Sequence, residues 1–205
     1  NIDVPDACPR YAARVIKGVK VGPSPQWLLE RLQSIGLGSI NNVVDAANYV
    51  LMDSGHPMHT FDMKMISGKM INVRFAEKGE KLTTLDNVER ELDDFHMVIC
   101  DNEKPVALAG IMGGLNSEIT DTTTDILIES AYFNPTVVRK GAKSLDLSTE
   151  ASHRFERNTD MDGVIPALSQ LAQLIYELAD GTVVKGVVDK YPKTHNSKII
   201  HFNME

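Results

Sequence analysis

Hydrophobic and polar positions along the 205-residue chain mark out short strand-like runs framed by helices. Residues 11–21 are rich in Val and Ile and read as a strand. Ser24-Pro25 then offers a helix cap followed by proline at the first helical position, and Leu28, Leu29, Leu32 and Ile35 recur at helical spacing until Gly36. Val43, Val44, Ala47, Val50 and Leu51 predict a second helix that stops near Gly55. Beyond it the period changes to two, with Ile71, Val73 and Phe75 alternating with polar residues. Residues 81–85 and 88–92 flank Asp86-Asn87 as a hairpin, and residues 97–100 and 106–109 flank the polar stretch 101–104. Residues 126–130 predict a buried strand, and Asn134-Pro135 repeats the cap-plus-proline signal. Val164, Ile165, Leu168, Leu171, Ala172, Ile175 and Leu178 form the longest helical stripe, closed by Gly181. Residues 182–189 predict a last strand before a polar tail. Two helices, a block of five or more strands and then more helix predict an α+β fold rather than regular β-α alternation.

Composition adds little to this picture, but charge changes it. The 42% apolar and 24% charged shares are ordinary for a globular protein. No run of about 18 apolar residues exists, so no membrane-spanning helix is expected. No basic-then-apolar leader marks the chain for export. Two cysteines, Cys8 and Cys100, make no disulfide framework and match no metal spacing, which points to a reducing, cytoplasmic setting. Lys and Arg number 21 against 28 Asp and Glu, a net charge of −7. A domain whose main task is to grip nucleic acid is usually basic, because phosphate neutralisation supplies most of that affinity. If RNA is a partner, other parts of a larger assembly must do most of the holding. The chain begins at Asn1 rather than Met and reads as a piece of something longer.

Few side chains carry recognisable chemistry. Glu129 sits in ILIESA, flanked by apolar residues, where a buried carboxylate is costly unless paired. Two readings stay open on the residues alone: a structural ion pair with an arginine such as Arg154 or Arg157, or recognition of a substrate. His56 and His59 form an H-P-M-H unit, but a zinc site needs further ligands at sensible spacing and none is evident. Asn48 lies one helical turn on from Asp45, and its amide either donates to a ligand oxygen or ties helix to loop. Ala109-Gly110 and Gly113-Gly114 form a small-residue floor that lets backbone N–H groups approach a substrate and stabilise an oxyanion. The same spacing also makes a plain tight turn. No Ser or Cys has the surroundings of an activated nucleophile, and Cys100, in an apolar strand, is expected to be inert.

Three ordered stretches carry a family signature: INNVVDAANYVLMDSGHPMHTFD at 40–62, ALAGIMGGLNSE at 107–118 with ILIESAYFNP at 126–135, and LSTEASHRFER at 147–157. With the opening CPRYAARVIKGVKVGPSPQWL they resemble the central editing module of the bacterial phenylalanyl-tRNA synthetase beta subunit, over nearly the whole chain. The resemblance implies a β-rich three-layer β/β/α body with helices packed outside over residues 1–190, and a polar tail or linker at 191–205. It implies hydrolysis of the ester joining a mistaken tyrosine to the terminal ribose of phenylalanine tRNA, with no cofactor in this domain. Phenylalanine ligation, with ATP and magnesium, would belong to the alpha subunit of an alpha2-beta2 enzyme.

Residue by residue, the resemblance implies that His59 and Asn48 act near the ester and that Glu129 accepts the tyrosine hydroxyl. Ala109, Gly110, Gly113, Thr149 and Ala151 would line the slot, with Ala151 small so that a tyrosyl ring fits. His56 falls where the family tolerates other residues and is expected at the surface. Arg154 and Arg157 would face either tRNA phosphate or structural carboxylates. The chain departs from the family at three places. Ala47 stands where threonine is usual and removes a hydroxyl that would hold water or the substrate amine. Gly38 stands where arginine is common and removes a phosphate contact. Asn158 replaces the glycine after RFER, at a position suited to a left-handed turn. A competing class is the accessory tRNA-binding module of a tRNA-modifying enzyme, which would share the fold and cleave nothing. A third is a synthetase domain whose editing has decayed, with Ala47 as its only support.

Overall fold

Two antiparallel sheets organise the chain in the computed structural model, which describes residues 1–192 and 201–202. Most of the tail expected at 191–205 lies outside the described residues. The larger sheet contains β1 (Arg10–Lys17), β2 (Met58–Asp62), β9 (Asp125–Tyr132), β10 (Thr182–Val183) and β11 (Val188–Lys190). Its order is β10-β1-β9-β2, with β11 also paired to β1. The second sheet runs β3 (Asn72–Phe75), β6 (Met97–Cys100), β7 (Pro105–Leu108) and β8 (Met112–Gly113). A separate hairpin joins β4 (Lys81–Thr83) to β5 (Glu89–Glu91).

Both faces of the larger sheet are buried, and the period-two alternation of its central strands sorts residues between two cores. Ala12, Ile16, Ile126 and Ile128 point to one core, which they share with helices α2 (Asn42–Ser54) and α5 (Val164–Ala179). Tyr11, Ala13, Phe61, Leu127 and Ala131 point to the other. There they meet Val73, Val98, Val106 and Leu108 of the second sheet. Val138 of α3 (Pro135–Ser144) and Phe155 of α4 (Glu150–Phe155) close that core.

The helices follow local chemistry. Asn41 caps α2 by accepting from the backbone N–H groups of Val43 and Val44, and Gly55 ends it in a left-handed conformation that glycine adopts without strain. Asn134 caps α3, with Pro135 at the first helical position as its sequence signals. The helix α1 (Gln26–Ser34) differs from expectation: Pro25, not Ser24, stands at its cap. The Ser24 hydroxyl donates to Asp45 Oδ2 at 2.6 Å, which ties the α1 lead-in to α2. The predicted strand at 11–21 ends at Lys17, because Gly18 turns with φ +68°. The strand expected at 182–189 is two short strands on β1, interrupted by Gly186 at φ +98°. The long α5 stripe ends as expected near Gly181, with Asp180 taking the left-handed position.

Candidate functional site

β2 is the element on which the site depends. It lies at the edge of the larger sheet and pairs with β9 so that His59 stands directly opposite Glu129. On the other side of β9, Ala13 of β1 stands opposite Glu129. The three side chains therefore share one face of the sheet, the face turned toward the second sheet. The Glu129 carboxylate is buried, and Oε2 accepts a hydrogen bond from the Tyr11 hydroxyl at 2.8 Å. Among the described residues no arginine pairs with it. Arg154 pairs with Glu150 along α4, and Arg157 pairs with its neighbour Glu156, so the structural ion pair considered for Glu129 does not form. Burial pushes the Glu129 carboxyl up to about 7, against the opposing effect of the Tyr11 bond.

His59 is held by shape rather than by hydrogen bonds. Its ring packs edge-on against Phe61, with centroids 4.5 Å apart. It also lies across Gly113, where an added Cβ would come within 2.4 Å of the ring's Cε1. Only glycine lets the β8 backbone approach this closely. Neither ring nitrogen bonds to another group among the described residues, although the ring borders two cavities. Burial lowers His59 to about 4, so the imidazole is neutral at physiological pH.

The two cavities share Met58 and His59 as a partition. The narrower, about 90 Å³, is walled by Gly110, Ile111, Gly113, Ala151 and Phe155. The wider, about 330 Å³, is walled by Asn48, Ala47, Val44 and Ile40 from the α2 side and by Leu85 and Glu118 opposite. Among the described residues Asn48 makes no side-chain hydrogen bond, so no helix-to-loop tie forms there, and the residue borders the wider cavity. Ala47 borders the same space.

Other candidates fall into place around this partition. Ala109 is buried in the core beside the glycine turn rather than on either cavity wall. Thr149 caps α4, accepting from the Ser152 N–H, and its hydroxyl donates to the Ile111 carbonyl at 2.8 Å. It thus fixes the segment carrying Ala151 against the narrow cavity's wall. His56 is a correction: it is 3% exposed rather than at the surface. It follows the turn at Gly55, and burial lowers its pKa against the opposing effect of the Ala131 backbone. Cys100 is buried in β6, and burial pushes its thiol up to about 11, too high for a thiolate at neutral pH. Asn158 takes φ +76°, the left-handed turn expected of it. Sequence reasoning missed Tyr11, Met58, Phe61, Leu85 and Phe155 as parts of the site. The signal for Phe61 was its two-residue offset from His59, readable only once β2 is seen as a strand.

The comparisons place this arrangement in a family. Residues 7–180 match the family model described as the B3/4 domain. The phenylalanine-tRNA ligase beta subunit of Geobacter metallireducens is 53% identical over 200 residues, 98% of this chain and 25% of the relative. The same subunit of Geobacter sulfurreducens is 52% identical over 204 residues, 100% of this chain and 26% of the relative. The chain thus spans about a quarter of the length of these curated relatives. Among solved structures, an N-terminal fragment of the phenylalanyl-tRNA synthetase beta-subunit from Pyrococcus horikoshii superposes with a TM-score of 0.58 at 13% identity, over 92% of this chain and 52% of that one, a likeness of fold alone. The chain belongs to the phenylalanine-tRNA ligase beta subunit family and carries its B3/4 domain.

Proposed function

We propose that this chain is an editing module that hydrolyses tyrosine mistakenly esterified to phenylalanine tRNA. The observation that carries the reading is the partition itself. A neutral histidine and an unbonded asparagine border one cavity, and the histidine stands opposite a buried carboxylate on the same sheet face. The need for such a site is chemical. A pocket for phenylalanine rejects tyrosine, which adds only a hydroxyl, by roughly a hundredfold. A second pocket that bonds the hydroxyl does better, since phenylalanine there leaves a buried polar group unpaired at about 1–3 kcal/mol.

In this reading the tyrosyl ring enters the narrow cavity past Ala151 and its hydroxyl donates to Glu129. Asn48 donates its amide N–H to the ester carbonyl or the ribose. His59 accepts a hydrogen bond from the attacking water. Water adds to the carbonyl carbon, the tetrahedral intermediate expels the ribose oxygen, and the proton lost by water ends on that oxygen. Free tyrosine and uncharged tRNA result. Residues 1–190 form the module, and the β/β/α layering is supported by the two cores on either face of the larger sheet. The chain itself needs no cofactor for this step. ATP- and magnesium-dependent ligation is assigned to an alpha subunit, in a cytoplasmic alpha2-beta2 enzyme with tRNA as shared partner. A net charge of −7 argues against the alternative of a module that only binds tRNA.

The test is deacylation of tyrosyl- and phenylalanyl-tRNA by the two-subunit enzyme. His59→Ala and Asn48→Ala are expected to slow tyrosyl-tRNA hydrolysis by tenfold or more while leaving phenylalanine ligation intact. Normal clearance by both variants rejects the reading.

A further inference from the structure

Tyr11 has no part in the reading above, yet it makes the one hydrogen bond that Glu129 accepts among the described residues. Tyr11 pairs with Ala131 across β1 and β9, two residues along from Glu129 and on the same face. Its side chain leans diagonally onto the carboxylate and gives its hydroxyl proton to Oε2 at 2.8 Å, with both groups buried. A carboxylate has two oxygens, each able to accept a phenol. One is occupied by a phenol of the protein itself, and among the described residues Oε1 accepts no hydrogen bond.

We propose that Tyr11 is a positioning residue for tyrosine selection: its hydroxyl holds one oxygen of Glu129 in place and turns the other toward the substrate's hydroxyl. The proposal rests on Glu129 being the selecting group. Among the described residues three titratable groups face Glu129. They are Tyr11 from β1, Cys8 from the segment before β1, and His59 from β2. Burial and the Glu129 charge both push Cys8 and Tyr11 upward, so each stays neutral at physiological pH. Burial keeps His59 neutral as well. None of the three supplies a positive charge, so the Tyr11 hydrogen bond is what opposes desolvation of the carboxylate. Without it, burial alone favours the protonated acid.

The experiment follows kcat/KM for tyrosyl- and phenylalanyl-tRNA hydrolysis by the two-subunit enzyme across pH 6–9, which reports ionisations of the free enzyme. In the wild type the tyrosine-to-phenylalanine ratio is expected to rise through a midpoint near the Glu129 value of about 7. Tyr11→Phe is expected to move that midpoint up by about one unit, lowering the ratio at pH 7 by up to about tenfold and restoring it at high pH. Fluorotyrosine placed at position 11 keeps the shape with a more acidic, stronger donor, and is expected to move the midpoint down even if Tyr11→Phe folds poorly. Glu129→Gln is expected to flatten the profile. A flat Glu129→Gln profile with unmoved midpoints in both position-11 variants overturns the role of Tyr11. An unchanged pH-dependent ratio in Glu129→Gln overturns Glu129 as the selector, and the proposal falls with it.

Discussion

Glu129 and His59 stand opposite each other, and burial drives their ionisations in opposite directions. Glu129 rises from 4.5 to about 7, so the folded state keeps a proton that the unfolded state has lost. Its contribution to stability therefore falls as pH rises from 4.5 to about 7, and above that the cost is on the order of 3 kcal/mol. His59 falls from 6.5 to about 4, so stability is lost as pH drops through that window. Between pH 4.5 and 6.5 the two slopes offset each other. Glu129→Gln is expected to raise the unfolding free energy at pH 8 and to change it little at pH 4, as read by urea titration at both values. A difference that does not vary with pH would show that Glu129 ionises normally. The same carboxylate sets selectivity in the proposed reaction. A charge-assisted hydrogen bond is worth about 1.5–3 kcal/mol. Glu129→Ala should therefore narrow the tyrosine-to-phenylalanine hydrolysis ratio by roughly tenfold to a hundredfold. A purely structural Glu129 predicts instead a lower melting temperature with both substrates slowed equally.

At the scale of elements, the site is a meeting of β2, β8 and the start of α4, and each can be tested by volume. Gly113→Ala inserts a methyl where His59 Cε1 would lie 2.4 Å away, so the ring must swing off its packing against Phe61. Hydrolysis of both substrates is expected to fall by tenfold or more, with discrimination between them preserved. Ala151→Trp is expected to fill the narrow cavity and abolish hydrolysis while the fold persists by circular dichroism, since Ala151 is only partly buried. Normal clearance by that variant removes Ala151 from the wall. These elements were unevenly legible in the sequence. The helix α2 was readable because its apolar stripe and its Gly55 stop agree, and the structure adds an Asn41 cap that the pattern did not single out. The strand β9 was readable over residues 126–130 from the apolar run Ile126, Leu127 and Ile128, and the structure extends it to Asp125–Tyr132. By contrast, β2 reads MHTFD, with Thr60 and Asp62 buried against propensity. Asp62 is acceptable there because its oxygens accept from Thr123 and from the Lys64 N–H, partners supplied from outside the strand. The short α4 has too few residues for a period, and a reciprocal Thr149–Ser152 cap defines it instead. The pattern places Leu85 in a hairpin strand, yet its N–H donates to the Gly113 carbonyl and it lines the wider cavity. The hairpin itself was legible from Asp86-Asn87, and Asn87 takes φ +63°.

For the whole molecule, the balance of charge decides what the chain can do with RNA by itself. Its net charge is −7, and several of its arginines are already committed. Arg10 forks onto Asp189 and locks β11 to β1, Arg74 forks onto Glu80, and Arg90 pairs with Asp86. Arg154 and Arg157 pair with Glu150 and Glu156, so even the basic stretch beside the proposed slot is largely neutralised. Gly38 adds no charge where the family resemblance would place an arginine. A phosphate must then compete with a carboxylate for each of these guanidinium groups, and each success releases fewer counterions than a free cation would. The fold is well supplied with buried apolar residues on both faces of the larger sheet, so weak RNA binding need not reflect poor folding. This chain alone is therefore expected to bind phenylalanine tRNA no more tightly than the nonspecific range of about 10⁻⁴–10⁻⁶ M at physiological salt. The slope of log affinity against log salt should be shallow, corresponding to one or two phosphate contacts. Adding the remainder of the two-subunit enzyme should tighten binding sharply while leaving the selectivity of hydrolysis with the residues around His59. Submicromolar binding by this chain alone, with a steep salt slope, would show that its surface grips RNA in spite of its charge, and would return the tRNA-binding module to contention.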